Sequence, residues 1–267
     1  MNILTAIQER RSVRSYNEIP LIDELVTKLQ KIINESYSYF GGKISIRLKR
    51  FDLKGDFKPS TYGVIKGATD FFLMSIGEGE ASELTAGFQF EQVVLKAWEL
   101  GLGTCWIAGT YKESQFDRGE EWPEGESLKI VCPVGYPDKL RFLEKMMRIT
   151  VKSDNRKPFS DLFFEDDFKK SLKEDSKFSE SLKMLRLAPS STNSQPWRVL
   201  VEGNKVMFYY KPKSHLAILD TGIGICHFNE TEKFNGFKGK YLKEDNFPQA
   251  PEDWKYLISY IREYDLI

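Results

Sequence analysis

The chain has 267 residues, enough for one large or two intimate domains with a sizeable core. Lys plus Arg and Asp plus Glu total 39 each, so the overall charge balance offers nothing to nucleic acid or to an anionic membrane, although a local anion site is compatible with it. The longest apolar runs fall far short of the ~20 residues of a membrane span, and the N-terminus turns charged by Glu9 and Arg10, so the expectation is a soluble, unexported protein.

Asn2 predicts an N-cap for a helix whose apolar residues Ile3, Leu4 and Ile7 share one face. That helix runs into Arg10-Arg11-Ser12-Val13-Arg14-Ser15-Tyr16. Guanidinium forks match phosphate oxygens bidentately, and a hydroxyl completes the shell. A solvated basic helix end that complements the helix dipole explains the same residues equally well. Pro20 predicts the start of a second helix with Ile22, Leu25, Leu29 and Ile32 facing inward. Ile44, Ile46 and Leu48 alternate with polar residues as in a strand with one wet face, whereas the unbroken apolar run from Phe71 to Met74 predicts a central strand covered on both sides. From Phe88 to Leu100 the spacing is helical, and Gly101 to Gly103 stop it. In the loop Gly101 to Gly109 the glycines permit close approach of backbone amides to a flat ligand, while a helix C-cap explains Gly101 equally well. Its Gly-x-Gly ends a helix, where the dinucleotide fingerprint begins one.

Leu128 to Val134 predicts another buried strand. The charged segment Lys152 to Lys157 then crosses to Pro158 and a further helix, which divides the chain into halves 1–158 and 159–267. The second half repeats the order of the first in shortened form: helix Leu182 to Leu187, polar loop Ala188 to Trp197, strand Val199 to Val201, turn Gly203-Asn204, strand Val206 to Tyr210, then the glycine-rich Asp220 to Gly224. The run of hydroxyl and amide side chains in Ala188-Pro189-Ser190-Ser191-Thr192-Asn193-Ser194-Gln195-Pro196-Trp197 exceeds what a turn requires and suits a partner with many donors and acceptors; taken alone, the loop is more simply read as capping its own backbone. Element order sets Asp220 opposite Glu83. After Asn235 only Trp254, Leu257, Ile258 and Ile261 keep a period, which predicts a terminal helix. Cys105, Cys132 and Cys226 lack the paired spacing of a zinc site and are expected as buried, reduced thiols of a cytosolic protein. His215 and His227 stand far from any motif serine, which argues against a Ser-His-Asp hydrolase.

Taken together, Arg10 to Tyr16, Gly101 to Gly109, Ile130 to Pro137, Arg156-Lys157-Pro158 and Ala188 to Trp197 resemble the flavin-dependent nitroreductase superfamily, and within it the branch in which one chain carries two nitroreductase-like halves. The resemblance spans roughly Met1 to Phe228. Ordinary members carry the arginine motif and the Pro-Ser-Ser-x-Asn-x-Gln-Pro-Trp loop early in one short chain and use them from opposite subunits of a homodimer. Here the two motifs stand about 175 residues apart (189 − 14). Where the first half would carry its own polar loop it has Glu35 to Gly42, and where the second would carry arginines it has the acidic run Phe164 to Phe168, which repels phosphate.

The resemblance implies an α+β fold, two α/β halves forming a fused pseudo-dimer with helices flanking mainly antiparallel sheets. It also implies one FMN between the halves. Arg10, Arg11 and Ser12, with Arg156, would hold the phosphate. Arg14 would face the pyrimidine edge of the ring, where its charge favours the anionic reduced form. Pro189, Ser190, Ser191 and Asn193 would line the cofactor from the other half, and Ala108 and Gly109 would offer backbone N–H groups to the ring. The implied activity is NAD(P)H-dependent reduction of a nitroaromatic, quinone or similar small electron acceptor by a cytoplasmic monomer. A flavin-binding protein without turnover, dehalogenation and flavin breakdown are the alternatives.

Overall fold

The computed structural model describes residues 2–53, 59–138, 155–251 and 253–263. Helix α1 (Ile3–Glu9) begins where Asn2 Oδ1 accepts from Thr5 N at 2.9 Å, and it buries Ala6 and Ile7. Helix α2 (Asp23–Glu35) starts after Pro20 and buries Leu29 and Ile33. Leu25, Leu29 and Ile32 face the core as expected, whereas Ile22 precedes the helix as its N-cap and is 55% exposed, because the helix begins later than the proline suggests.

Strands β1 (Ile44–Arg50), β2 (Asp70–Gly77), β3 (Gly103–Thr104) and β4 (Glu126–Gly135) form an antiparallel sheet in the order β1-β2-β4-β3. β2 is interior and buried along its whole length, which accounts for its unbroken apolar sequence. Between β2 and β3 runs helix α3 (Glu80–Glu99). It ends at Gly101, φ +79°, where Gly101 N and Leu102 N donate to Trp98 O and Ala97 O. Gly101 therefore closes the helix as the left-handed residue just past the C-cap Leu100. A short helix, α4 (Glu113–Phe116), precedes β4.

The second sheet contains β5 (Phe163–Glu165), β6 (Asp167–Ser171), β7 (Trp197–Glu202), β8 (Lys205–Tyr210), β9 (Gly239–Leu242) and β10 (Lys255–Arg262), ordered β6-β5-β7-β8-β10-β9. Only the β5–β7 pair is parallel. Two expectations are corrected here. The segment after Pro158 is a single 3-10 turn, Phe159–Asp161, running straight into β5. The supposed terminal helix is β10, whose pairing with β8 slips between Tyr256 and Ile258. That bulge breaks the two-residue alternation, so Trp254, Leu257, Ile258 and Ile261 imitate helical spacing.

Helix α5 (Ser179–Arg186) leads to the polar loop, and helix α6 (Ala217–Phe234) joins β8 to β9. α3 packs on the first sheet and α6 on the second, and the two helices pack on each other. Both are buried around most of their circumference, as a helix between two layers must be. They meet at Gly87 and Gly222: a Cβ on Gly87 would lie 2.0 Å from Leu219 O, and one on Gly222 2.5 Å from Leu84 O. The glycine-rich Asp220 to Gly224 is thus a helix crossing, with no loop. One contiguous apolar core, including Phe72, Phe90, Ile223 and Phe208, runs from the first sheet through the helices to the second.

The two glycine contacts are reciprocal, and they disclose an internal repeat. Gly222 follows Gly87 by 135 positions (222 − 87), as Gly236 follows Gly101 and Lys205, the start of β8, follows Asp70, the start of β2. Gly101 and Gly236 share φ near +80° (79° and 81°). The β1-β2-β4-β3 order recurs as β7-β8-β10-β9. In this register Asp220 matches Thr85, which corrects the alignment of Asp220 with Glu83.

Candidate functional site

A cavity of about 370 Å³ opens between the halves. Its first wall comes from the chain after α1. Ser12 forms a parallel bridge to Thr104, and Val13 N donates to Thr104 O at 2.8 Å, so this stretch extends the edge of the first sheet beyond β3. Alternation along an extended chain then turns Ser12 and Arg14 to the cavity and Val13 to the core. Gly103 lacks a side chain for the same reason: a Cβ there would lie 2.7 Å from Val13 Cβ.

The second wall is Trp106 to Thr110. Ile107 exchanges two backbone hydrogen bonds of 3.0 Å with Val131, which fixes the segment against β4. A Cβ on Gly109 would meet nothing within 4 Å, so the backbone there faces open space. The third wall, from the second half, consists of Pro189 to Thr192 together with His215, Leu216, Leu219, Asp220 and Ile223.

The polar loop is held under strain. Thr192, Asn193 and Gln195 have φ of 49°, 56° and 47°, a region that costs a β-branched residue most. Its polar atoms are largely spent on the loop and its neighbours. Gln195 N donates to Ser190 Oγ (2.9 Å), Lys157 N to Gln195 Oε1 (2.8 Å), Lys157 Nζ to Ser194 O (2.6 Å) and Asn193 Nδ2 to Asn155 O (2.9 Å). Both the self-capping reading and the binding reading therefore have support, since Pro189, Ser190, Ser191 and Thr192 still line the cavity.

Of the residues singled out from sequence, the fold gathers Ser12, Arg14, Ala108, Gly109, Pro189, Ser190 and Ser191 around one cavity. Four others lie apart from its lining. Arg11 is exposed. Arg156 donates to Leu187 O and Asn155 O, both at 3.0 Å, and so ties down the start of the loop. Asn193 ties the loop to that same segment. Arg10 is nearly buried, its Nε 3.7 Å from Glu91 Oε1.

Glu91 belongs to a buried network that the sequence did not disclose. Its Oε2 accepts from Trp106 Nε1 at 2.8 Å, and its Oε1 lies 2.9 Å from His227 Nε2; both Glu91 and His227 are fully buried. His227 Nδ1 is 3.2 Å from Met184 O. The network couples α3, α5 and α6 to the tryptophan in the cavity wall, which also packs edge-on against Phe90.

Asp220 is the other functional candidate that sequence reasoning missed. It is 3% exposed, and its two oxygens accept from Ser191 N at 3.1 and 3.0 Å. Burial pushes its carboxyl up to about 7, against the opposing hydrogen bonds from Ser191 and Ser194. On α3, the Glu83 carboxyl is raised by partial burial and by Glu80, and His215 opposes the shift.

These walls suit a flat, anionic ligand. Arg14 and Ser12 offer charge and a hydroxyl, and open backbone lies at Gly109. Outside this lining, Arg10 Nη1 is buried with no hydrogen-bond acceptor among the described residues. Among the described residues no acidic, histidine or cysteine cluster suits a metal, and no helix is long and apolar enough to cross a membrane. Cys105, Cys132 and Cys226 are free and buried.

An α+β chain with two antiparallel-rich sheets, a helix pair between them and a cavity walled by both halves has the nitroreductase fold. The family described as "Putative TM nitroreductase" matches residues 2–231, and the chain belongs to this family of nitroreductase-type oxidoreductases. A crystal structure of a "putative nitroreductase" from Thermotoga maritima aligns over 98% of this chain and 94% of its own, at 20% identity and TM-score 0.63. A nitroreductase family protein from Clostridium difficile 630 aligns over 60% of this chain and 96% of its own, at 15% identity and TM-score 0.45. A "putative nitroreductase" from Desulfovibrio desulfuricans, solved in complex with FMN, aligns over 55% of this chain and 95% of its own, at 22% identity and TM-score 0.41. No curated protein matches the sequence.

Proposed function

We propose that the chain is an FMN-dependent oxidoreductase that uses NAD(P)H to reduce nitroaromatic, quinone or similar small electrophiles, acting as a cytoplasmic monomer with one flavin between halves 1–158 and 159–267. The observation that carries this reading is the cavity itself: Ser12 and Arg14, Ala108 and Gly109, and Pro189 to Ser191 come from three distant stretches and line one space. FMN bound there would supply two-electron chemistry between nicotinamide and acceptor. Arg14 would neutralise negative charge on the ligand. Ser12 and Arg10 would satisfy anionic oxygens, and the strained loop, anchored through Lys157 and Asp220, would hold its backbone against the ligand without reorganising. The division between the halves is supported by the strands, since β1 to β4 lie within residues 44–135 and β5 to β10 within 163–262.

The single-site stoichiometry has support from the internal repeat. The counterpart of the cavity would be lined by Phe88, which matches Ile223, and by Tyr241, which matches Trp106 (241 − 106 = 135). That place is filled by aromatic rings: Phe40 and Tyr39 lie 5.1 and 5.7 Å from Phe88, and Tyr241 lies 5.1 Å from Tyr39. The test is the visible spectrum of the purified protein followed by titration with FMN. One flavin per chain is expected; none, or two, refutes the reading.

A further inference from the structure

The repeat lets each residue around the cavity be compared with a counterpart that has no cavity to serve. Thr85 and Asp220 occupy matching positions on α3 and α6, and each receives a backbone N–H from the loop of its own half. Gly42 N donates to Thr85 Oγ1 at 3.2 Å, and Ser191 N donates to Asp220 at 3.0 Å. A threonine hydroxyl is therefore sufficient to hold such a loop. Yet the cavity side carries a carboxyl, a group far costlier to bury, and among the described residues no cation pairs with it. The excess chemistry at Asp220 is a proton, and its side chain is part of the cavity wall.

From this asymmetry we infer that Asp220 is the proton donor of the cavity, supplying the proton that a quinone or nitro oxygen takes up as the acceptor is reduced. The inference rests on the reductase reading of the site. The overall step balances: NAD(P)H delivers two electrons and one proton as hydride equivalent to a quinone, Asp220 delivers the second proton to the quinone oxygen, and hydroquinone and NAD(P)⁺ result. The Asp220 carboxylate then regains a proton from solvent through the cavity mouth. Burial that holds the carboxyl near neutrality suits it to this exchange. The charged and titratable side chains that share the cavity wall with it are Arg14 and His215; Glu83 on α3 acts on His215, and Lys157 holds the loop at Ser194.

The experiment compares wild type with Asp220→Asn and with Asp220→Thr, which copies the Thr85 contact. Each is assayed with a quinone, which needs protons, and with ferricyanide, which takes electrons alone. Quinone reduction is expected to fall by about 100-fold or more in both variants, the scale of a lost general acid. The loss with ferricyanide, which reports any disturbance of the loop or of FMN binding, is expected to be at least about tenfold smaller than the loss with quinone in each variant, because ferricyanide takes no proton. In ligand-free wild type, carboxyl ¹³C spectra should show one aspartate titrating near 7 that is missing from Asp220→Asn. Equal losses with both acceptors in both variants would assign Asp220 a structural role and overturn the inference, as would unchanged quinone reduction or the absence of the titrating resonance. A wild type that binds no FMN is visible in its spectrum before any variant is compared. That outcome removes the reductase reading and the donor role with it, whereas a flavin-loaded protein with insensitive variants overturns the donor role alone.

Discussion

The burial of Asp220 has a thermodynamic signature that needs no ligand. Its carboxyl stands at about 7 in the native protein against 3.8 when unfolded. The native state therefore holds the proton more tightly, and the stabilisation is complete below about pH 3.8 and is lost as pH rises through about 7. Each unit of difference corresponds to about 1.36 kcal/mol, so the 3.2-unit gap (7 − 3.8) amounts to about 4 kcal/mol. Asp220→Asn keeps an oxygen for Ser191 N and cannot ionise. Whatever its fixed effect on packing, its stability relative to wild type should climb by about 4 kcal/mol between about pH 4 and pH 8, most steeply through the middle of that range. Urea denaturation of both proteins at a series of pH values measures the difference directly, and groups common to both cancel. A difference that is flat across the series would mean that Asp220 ionises like an ordinary aspartate and that its surroundings do not isolate it from water.

Gly87→Ala should cost about 1–3 kcal/mol or more, since the new methyl would meet the Leu219 carbonyl at 2.0 Å; a denaturation midpoint equal to wild type would show that the helices separate freely. Glu91→Ala leaves the buried Arg10 and His227 without their shared carboxylate and should destabilise by about 3–5 kcal/mol, with altered Trp106 fluorescence; a change below about 1 kcal/mol would reduce the network to incidental proximity. Arg10→Ala should weaken FMN by about tenfold to a hundredfold and riboflavin much less, whereas equal losses would confine Arg10 to its contact with Glu91. Asn193→Ala releases the loop from Asn155 and should weaken FMN and riboflavin by similar factors, near the ~1 kcal/mol of one hydrogen bond; a loss restricted to FMN would instead make Asn193 a phosphate ligand.

Much of the fold is legible in the residues because local and tertiary demands agree there. Asn2, Gly101 and the run Phe71 to Met74 act where their chemistry says they should. Legibility fails where tertiary structure overrides the local period. The bulge in β10 gives a strand the apolar spacing of a helix, and the glycines of α6 look like a loop because the helix on which they press lies 135 positions away. The arginine and polar-loop motifs supply part of the lining, through Ser12, Arg14 and Pro189 to Thr192, but not all of it. Arg10, Arg156 and Asn193 bind neighbouring protein groups, while Trp106, His215 and Asp220 stand in the wall. Asp220 had a visible signal, an acidic residue within an otherwise apolar stretch before Gly222-Ile223-Gly224, but its meaning depends on Thr85 across the helix pair, and a linear reading does not set the two side by side.

The reciprocal contact of Gly87 and Gly222 also governs how the molecule can change. In an assembly of two identical chains every substitution is written twice, so a carboxyl introduced beside one cavity is imposed on its twin, and a ring that fills one pocket fills both. Two repeats within one polypeptide escape that duplication, except at the crossing, where each glycine answers to the backbone of the other helix. Away from that point the sides are free to diverge, and they have: Asp220 matches Thr85, Trp106 matches Tyr241, and Ile223 matches Phe88. Symmetry survives in the order of the strands, in the helix ends at Gly101 and Gly236, and as a steric obligation at the crossing, while the surroundings of the cavity have specialised.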